Sequence, residues 1–396
     1  MTEVSAGSWW RRPMSGRDPD EQHRSSTPLE LLFDLTFVVA VAQAGAQLHH
    51  GLAAGNVGHA LAGYAAVFFG IWWAWVNFTW FASAYDTDDV PYRLLTLLQM
   101  GGVLVLAAGI PSVFGHFDFA MLVVGYAIMR LALVAQWLRA STENPENRSA
   151  TVRYALGVAG VQGCWVGWLW LTGLTGLIVF AVLIVAELAV PAWAEFGGGS
   201  TPWHPDHITE RYGLFTIIVL GEVLAATMTA LQQALTAGHA DAAALITASV
   251  AGLLLVFGLW WSYFQHLSPR QVRRSLRVTF AWGYAHYAVF ASVAALGAGM
   301  QVVIDSLSHH TSASPTFAAL TIAIPVVTYL VVLNWVVSVG SRGGLLARTL
   351  SVCVGAAVIV VTALSARTLT LPASVLVIAL LVAMMIALRP TATKPG

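Results

Sequence analysis

The segment from Leu29 to Gln43 is apolar enough to begin a membrane span, yet it contains two carboxylates, Glu30 and Asp34. Their spacing of four residues places both on one face of a helix, one turn apart. Ionisable groups inside membrane helices are costly, and they usually face a bundle interior or a polar path. We therefore take Glu30 and Asp34 as the first candidates for an ion or solute site.

An arginine lies inside the fourth apolar segment, where its charge needs a partner. Arg130 is nine residues from Arg139, which is about 13–14 Å along a helix. We predict that Asp34 is its partner, while Glu187 is a further acid at the same inner level. The alternative is a buried ion pair that only fixes helix packing.

The second half of the chain opens with a similar charged segment. Glu210 and Arg211 lie at its start, and Glu222 follows Glu210 by twelve residues, about 18 Å along a helix. An unpaired carboxylate at that depth is strongly disfavoured. We take Glu222 as a proton or cation carrier. His286, within the ninth apolar segment, is a candidate for a proton-linked role, with a packed, hydrogen-bonded histidine as the alternative.

An acidic cluster follows the second apolar segment. Asp86, Asp88 and Asp89 occupy three of four positions, and Arg93 comes shortly after them. Three carboxylates on a short loop could attract cations, although the spacing of an EF-hand is missing. The alternative is that they cap the third helix and form salt bridges with Arg93.

The sequence offers no motif for catalysis or for a bound cofactor. It lacks a phosphate-binding loop, a zinc signature and a nucleophile elbow, and its two cysteines have no metal-ligand spacing. We therefore expect no enzyme activity, no metal and no cofactor. Seven of the twelve histidines fall on predicted outer loops, where a pH sensor or metal site is conceivable and a neutral polar replacement for lysine is the simpler account.

The composition defines the elements that must position these residues. Of 396 residues, 58% are apolar and 10% are charged, against about 25% charged in soluble domains. This predicts an all-α polytopic membrane protein whose main partner is the lipid bilayer. The net charge of zero does not favour nucleic acid as a partner.

We predict about twelve transmembrane helices. With the amino terminus in the cytosol, 17 of the 19 basic residues fall on inside segments, as the positive-inside rule requires. Both termini are therefore expected to be cytosolic, in a bacterial inner membrane. The predicted spans are 29–48, 57–84, 92–111, 118–139, 152–171, 175–193, 208–232, 241–266, 277–304, 317–338, 349–365 and 371–388.

The two halves resemble an internal repeat. Trp72-Trp73 corresponds to Trp260-Trp261 at an offset of 188 residues, and Glu30 to Glu210 near an offset of 180. An even number of spans in each half would make the repeat parallel. The predicted division is a disordered cytosolic tail 1–28, a first six-helix half 29–193, a glycine- and proline-rich linker 194–207, a second six-helix half 208–389 and a cytosolic tail 390–396.

Three motifs resemble those of the bacterial low-temperature-requirement A (LtrA) family. The first runs from Glu30 to Val38, the second from Phe81 to Asp89, and the third from His207 to Glu222. They occur in the family's order, and the similarity extends over about residues 25–390. The resemblance implies a multi-pass bacterial membrane protein with a link to growth in the cold, and it implies no particular substrate.

Two functions are favoured, and a membrane-embedded enzyme is a third alternative that no constellation of residues supports. The buried acids and the repeat favour a secondary transporter or permease for an ion or small solute. The alternative is a non-transporting scaffold or stress-response factor in which the buried charges only hold helices together.

Overall fold

The chain is all-helical in a computed structural model that describes residues 10–18, 21, 24–237, 241–265, 275–339 and 345–388. One 3₁₀ turn spans Pro145–Asn147 within the described residues. The helices are α1 Pro28–Ala53, α2 Val57–Tyr85, α3 Val90–His116, α4 Ala120–Glu143, α5 Arg148–Trp168, α6 Gly173–Gly198, α7 Pro205–Ala237, α8 Ala242–Phe264, α9 Leu276–Leu307, α10 Pro315–Val339, α11 Leu345–Leu364, α12 Ala366–Leu369 and α13 Leu371–Ala387.

Each of the twelve predicted spans coincides with one of these helices, and α12 is an additional single turn. Within the described residues, nine helices are long and apolar enough to cross a membrane. The apolar stretches of α11 and α13 are shorter, and α5 contains four glycines and two arginines. The class of a multi-pass helical membrane protein is thus confirmed, whereas the count of twelve spans stays a prediction.

The chain forms two compact units whose boundaries fall within α1, α2 and α7. The first unit contains Met1–Gln43 and Phe69–Arg211, and the second contains Ala44–Phe68 and Tyr212–Gly396. This grouping differs from the predicted halves, because residues 44–68 belong with the second half of the chain. The six-plus-six division and the internal repeat stay predictions.

Small residues let helices within each unit approach closely. In the first unit, a Cβ atom on Gly125 of α4 would overlap the backbone of Leu106 on α3. In the second unit, a Cβ atom on Gly299 of α9 would overlap the carbonyl of Thr321 on α10. Backbone approach of this kind is the usual means of helix association in lipid.

The outer faces of the helices are apolar. On α6, Leu177, Val182 and Val185 are exposed, and an exposed apolar face of this length matches the lipid interior.

Part of the amino-terminal segment is folded, which corrects the expected disordered tail. Met14 is fully buried, and its backbone N–H donates to Glu143 Oε2 at 2.6 Å. Arg24 donates to the carbonyls of Ala82 and Ser83 at the end of α2, where a cation also complements the helix dipole. The polar composition of this segment predicted disorder, because the residues that bind it are distant in the sequence and leave no signal within the segment itself.

The linker is shorter and more ordered than expected. Helix α6 continues to Gly198 and α7 begins at Pro205, so only six residues connect them. Thr201 donates its hydroxyl and its backbone N–H to the buried Glu195 carboxylate at 2.6 and 3.0 Å. The carboxylate thereby holds the loop against α6. The predicted tail 390–396 lies outside the described residues, as do the basic positions Arg270, Arg273, Arg274, Arg342, Arg389 and Lys394.

Candidate functional site: a buried ion cluster at the start of α1

The first turn of α1 is fixed by a capping box. The Thr27 N–H donates to Glu30 Oε2 at 2.8 Å, and the Glu30 N–H donates to Thr27 Oγ1 at 3.3 Å. Pro28 occupies the first helical position, where its missing N–H has no cost. The sequence Thr27-Pro28-Leu29-Glu30 carries this signal of a helix start.

Arg211 lies between the two carboxylates that begin α1. Its Nη1 atom is 3.2 Å from Glu30 Oε1, and its Nη2 atom is 2.5 Å from Asp34 Oδ1. All three side chains are fully buried. The fork of the guanidinium therefore bridges two acids that are one turn apart on the same helix face.

Two further side chains, Trp75 and His207, contact the two carboxylates. We call Glu30, Asp34, His207 and Arg211 together the α1 cluster. The Trp75 indole N–H donates to Asp34 Oδ1 at 2.7 Å. The His207 Nε2 atom lies 3.3 Å from Glu30 Oε2. Since a carboxylate only accepts, this contact requires a proton on Nε2.

The start of α7 positions both His207 and Arg211. His204 precedes Pro205, and its Nδ1 atom accepts the backbone N–H of His207 at 3.3 Å. Its Nε2 atom is 2.8 Å from the carbonyl of Glu21, so Nε2 is the protonated nitrogen of His204. His207 and Arg211 are four residues apart, so they share one face of α7.

A second buried ion pair, Arg130 with Glu187, corrects the predicted partnership of Arg130 with Asp34. Arg130 Nη2 lies 2.8 Å from Glu187 Oε2. Glu187 also accepts from the indoles of Trp73 and Trp165 at 2.8 and 3.1 Å and from the Tyr126 hydroxyl at 3.3 Å. We call these five residues the α6 cluster.

Helix α2 separates the two clusters within the first unit. Trp73 and Asn77 bind residues of the α6 cluster. Trp73 donates to Glu187, and Asn77 accepts from Arg130 Nη1 at 3.1 Å. Trp75 serves the α1 cluster, and Thr79 lies 3.5 Å from Arg211 Nη2. Positions two apart on a helix differ by about 200°. Depth alone could not show that α2 stands between Asp34 and Arg130.

The two clusters differ in how completely their polar atoms are paired. Both oxygens of Glu187 accept two hydrogen bonds. In the α1 cluster, by contrast, several buried atoms lack a hydrogen-bond partner among the described residues. These atoms are Asp34 Oδ2, Arg211 Nε and His207 Nδ1. Glu30 Oε1 and Arg211 Nη1 face each other in the ion pair at 3.2 Å, but without the alignment of a hydrogen bond.

The acidic cluster after α2 serves mainly to fix local structure. Asp89 caps α3 through the Tyr92 N–H at 3.0 Å and binds Arg139 with both oxygens at 2.9 and 2.6 Å. Burial disfavours its charge, but the hydrogen bonds from Arg139 and from backbone N–H groups lower the pKa of Asp89 to about 2. Asp88 pairs with Arg93 on the surface at 2.7 Å.

Asp86 is the exception in this cluster, and it provides a pH-dependent test. Burial, reinforced by the negative charge of Glu30, raises the pKa of Asp86 from 3.8 to about 6 despite the nearby Arg24. A carboxyl with a raised folded-state pKa stabilises the fold below its unfolded pKa, and that contribution is lost as the pH rises through about 6. Asp86→Asn should therefore be more stable than wild type above pH 6, by up to about 3 kcal/mol.

Thermal unfolding of the purified protein over a pH series measures this effect. The two proteins should be equally stable below about pH 4. Asp118→Asn is the matched control, because it is the same chemical change at an exposed aspartate beyond the other end of α3. An Asp86→Asn advantage that is the same in acid and in alkali would contradict the prediction.

The remaining predicted residues have separate surroundings. Glu210, half-buried in the first unit, accepts the Ser26 N–H at 3.3 Å. In the second unit, His286 Nδ1 is 2.7 Å from the Trp282 carbonyl, and its Nε2 is 3.1 Å from the Tyr263 hydroxyl. His286 is thus a packed, hydrogen-bonded histidine. Glu222 is half-buried, and the described residues provide it with no ion pair.

His49, predicted to lie on an outer loop, lies within the last turns of α1 and has a defined partner in the second unit. His49 Nε2 lies 2.7 Å from Asp305 Oδ2. Within the described residues, no three histidine, cysteine, aspartate or glutamate side chains form a group that could hold a metal ion.

Long apolar helices with ion pairs in their interior define an integral membrane protein of the multi-pass helical class. The chain belongs to the bacterial low temperature requirement A (LtrA) family, whose model matches residues 25–387. This confirms the resemblance carried by the three sequence motifs.

A curated relative is also similar to this chain. It is an uncharacterized protein, RA0937, from Rhizobium meliloti (strain 1021), which is 28% identical over 223 residues. The match covers 52% of this chain and 51% of the relative, so the chain spans about half the length of the curated relative it matches. No solved structure matches this chain.

Proposed function

We propose that this protein is a secondary transporter or permease for an ion or small solute, and that the α1 cluster lies on its path. The observation that carries the proposal is the buried Asp34 carboxylate, which shares one guanidinium with Glu30 and keeps an unpartnered oxygen. Ionisable groups in such surroundings commonly mark ion and substrate pathways. The proposal includes no catalysed reaction.

The Glu30–Arg211–Asp34 arrangement is suited to switching. A guanidinium shared by two acids can favour either partner when one of them changes its charge. A change in pairing can then alter the contacts between α1 and α7 within the first unit, because Arg211 is anchored on α7. Transport needs such an element with two arrangements.

A second candidate, a non-transporting scaffold or stress-response factor, is favoured by the α6 cluster. Every oxygen of Glu187 is used, and Arg130 packs over the Tyr126 ring at 4.5 Å. A carboxylate whose oxygens are all engaged in this way fixes helix packing and accepts no further hydrogen bond, although Arg130 Nε has no partner among the described residues. The first candidate is preferred because the α1 cluster is unsaturated.

The proposed orientation has twelve spans, with both termini in the cytosol of a bacterial inner membrane. It is supported by the placement of 17 of 19 basic residues on one side. Reporter fusions at the loops before and after each helix would test it, and a reporter result that places the two termini on opposite sides would contradict it.

Flux into proteoliposomes tests the transport proposal. Purified wild type, Asp34→Asn and Glu222→Gln would be compared under gradients of H⁺, Na⁺, K⁺ and Cl⁻, each with a dye inside the vesicles that is specific for the ion under test. We expect wild-type flux of at least one of these ions and a drop of about tenfold or more in Asp34→Asn, as is usual when a required ionisable group is lost. Glu222→Gln should also reduce the flux if Glu222 carries a proton or cation.

Asp88→Asn is the matched control for this experiment. It is the same chemical change at a surface ion pair, so its flux should equal that of wild type. Equal flux in wild type, Asp34→Asn and Glu222→Gln would reject the transport site, and folded wild type that moves none of the tested ions would favour the scaffold.

A further inference from the structure

The α1 cluster contains more buried negative charge than positive charge. Glu30 and Asp34 share the single guanidinium of Arg211. The nearby Arg24 is engaged by the carbonyls of Ala82 and Ser83, and the buried Asp86 adds another acid close to Glu30. Unbalanced charge away from water is strongly disfavoured, so groups in such sites usually take up a proton.

The unpartnered atoms show where an additional proton could reside. Asp34 Oδ2 accepts no hydrogen bond from the described residues, and His207 Nδ1 is a ring nitrogen without a partner among them. Glu30 Oε1, in contrast, faces Arg211 Nη1 at 3.2 Å. All three side chains are fully buried. A proton on Asp34 Oδ2 converts that acceptor into a donor and leaves Glu30 paired with Arg211, whereas a proton on Glu30 leaves Asp34 paired with Arg211.

We propose that the α1 cluster holds one exchangeable proton, shared between Glu30 and Asp34, and that His207 carries this proton to and from Glu30. This inference deepens the proposed function, because it names the proton as the ion that the site binds. A proton fits better than a metal cation, since the guanidinium of Arg211 lies directly between the two carboxylates and repels a second cation.

The His207 ring can relay the proton without a net change in its own charge. A proton enters at Nδ1, which forms a new N–H bond. The Nε2–H bond then breaks, and its proton forms an O–H bond on Glu30 at the 3.3 Å contact. The ring ends as the other neutral tautomer, Glu30 becomes a neutral acid, and the cluster has gained one proton.

The groups around the cluster belong to several elements of the first unit. Those of α1 and α7 are Glu30, Asp34, His207, Glu210 and Arg211, and α2 contributes Trp75 and Thr79. The remaining groups are Tyr92 on α3, Asp86 after α2, and Arg24 and Ser26 before α1.

Infrared difference spectroscopy between acidic and alkaline buffers tests the proposal on the full chain in lipid nanodiscs. A buried protonated carboxyl gives a carbonyl-stretch band that is absent from a carboxylate. Asp86 would add a band of its own, because its pKa is about 6. All proteins are therefore compared in an Asp86→Asn background.

We expect at least one band in this background, and we expect Glu30→Gln and Asp34→Asn each to abolish the same band. Either replacement leaves a single carboxylate that is matched by Arg211, so neither acid of the α1 cluster needs a proton. Asp88→Asn, at a surface ion pair, is the matched control and should keep the band. The Glu30→Gln variant can retain the capping bond from Thr27, because glutamine also serves at this position of a capping box.

If no band of the parent protein is lost in Glu30→Gln and in Asp34→Asn, the proposal is overturned, as it is by the absence of any band in the parent protein. If either variant fails to fold, the parent protein is labelled with carbon-13 at aspartate or at glutamate, and one of the two labels should shift the band. A band that neither label shifts would also overturn the proposal.

The His207→Gln variant should keep the band, but the band should appear more slowly after a pH jump, by about tenfold or more. An unchanged rate would show that His207 does not carry the proton.

This result is independent of transport. A band with the expected mutational pattern in a protein without flux would support the proton site and reject the transport function. Flux that depends on Asp34 without such a band would support transport and reject the proton.

Discussion

Replacing Arg211 with glutamine is expected to destabilise the protein by about 3–5 kcal/mol, because it leaves two carboxylates buried without their shared cation. Glu30 would keep His207 and the Thr27 N–H, and Asp34 would keep the Trp75 indole. Neither set of hydrogen bonds supplies the positive charge that is lost with Arg211. The change in the free energy of unfolding can be measured by thermal or denaturant unfolding of the detergent-solubilised protein.

The variants that accompany this experiment separate lost charge from lost packing. Removing all three charges, in Glu30→Gln with Asp34→Asn and Arg211→Gln, should restore most of the lost stability, because neutral replacements of a buried ion set are often tolerated. Arg211→Lys keeps the charge and loses the fork that reaches both acids, so it should fall between wild type and Arg211→Gln. A triple variant no more stable than Arg211→Gln would show that lost packing, and not unpaired buried charge, causes the loss of stability.

The second large effect is expected at the α6 cluster, where the two partners should not be equivalent. Glu187→Gln should cost about 3–5 kcal/mol, since it strands a buried guanidinium and places an amide NH₂ among donors. Arg130→Gln should cost less. After that change, Glu187 keeps the hydrogen bonds from Trp73, Trp165 and Tyr126.

A double-mutant cycle of Arg130→Gln and Glu187→Gln measures the coupling between the two partners. We expect the double variant to be more stable than Glu187→Gln alone and to retain transport, because the α6 cluster holds helices together. Equal costs for the two single variants would contradict the asymmetry. A folded double variant without flux would place the α6 cluster on the transport path.

Much of the fold could be predicted from the sequence, because a membrane helix must satisfy its own backbone and must be about 20 apolar residues long. These demands are local, and every predicted span coincides with a helix. The motif that begins at Glu30 likewise indicated the family before any geometry was known. The need of Arg130 for a carboxylate was also predictable, since it follows from the cost of a buried charge.

The sequence did not determine which acid meets which arginine. Asp34 and Arg130 were paired by depth, but partner choice depends on the angular position of each helix and on what stands between them. Helix α2 presents Trp73 and Asn77 to one cluster and Trp75 to the other. That arrangement assigns Glu187 to Arg130 and Asp34 to Arg211.

The sequence by itself determined the class of protein, the places of the helices and the residues whose charges need partners, because each follows from the local cost of polar groups in lipid. Only the tertiary structure decided that Glu30 and Asp34 share one guanidinium while Glu187 is saturated. The physical reason is that pairing and saturation depend on distances between side chains that are far apart in the chain, as Asp34 and Arg211 are at 177 residues.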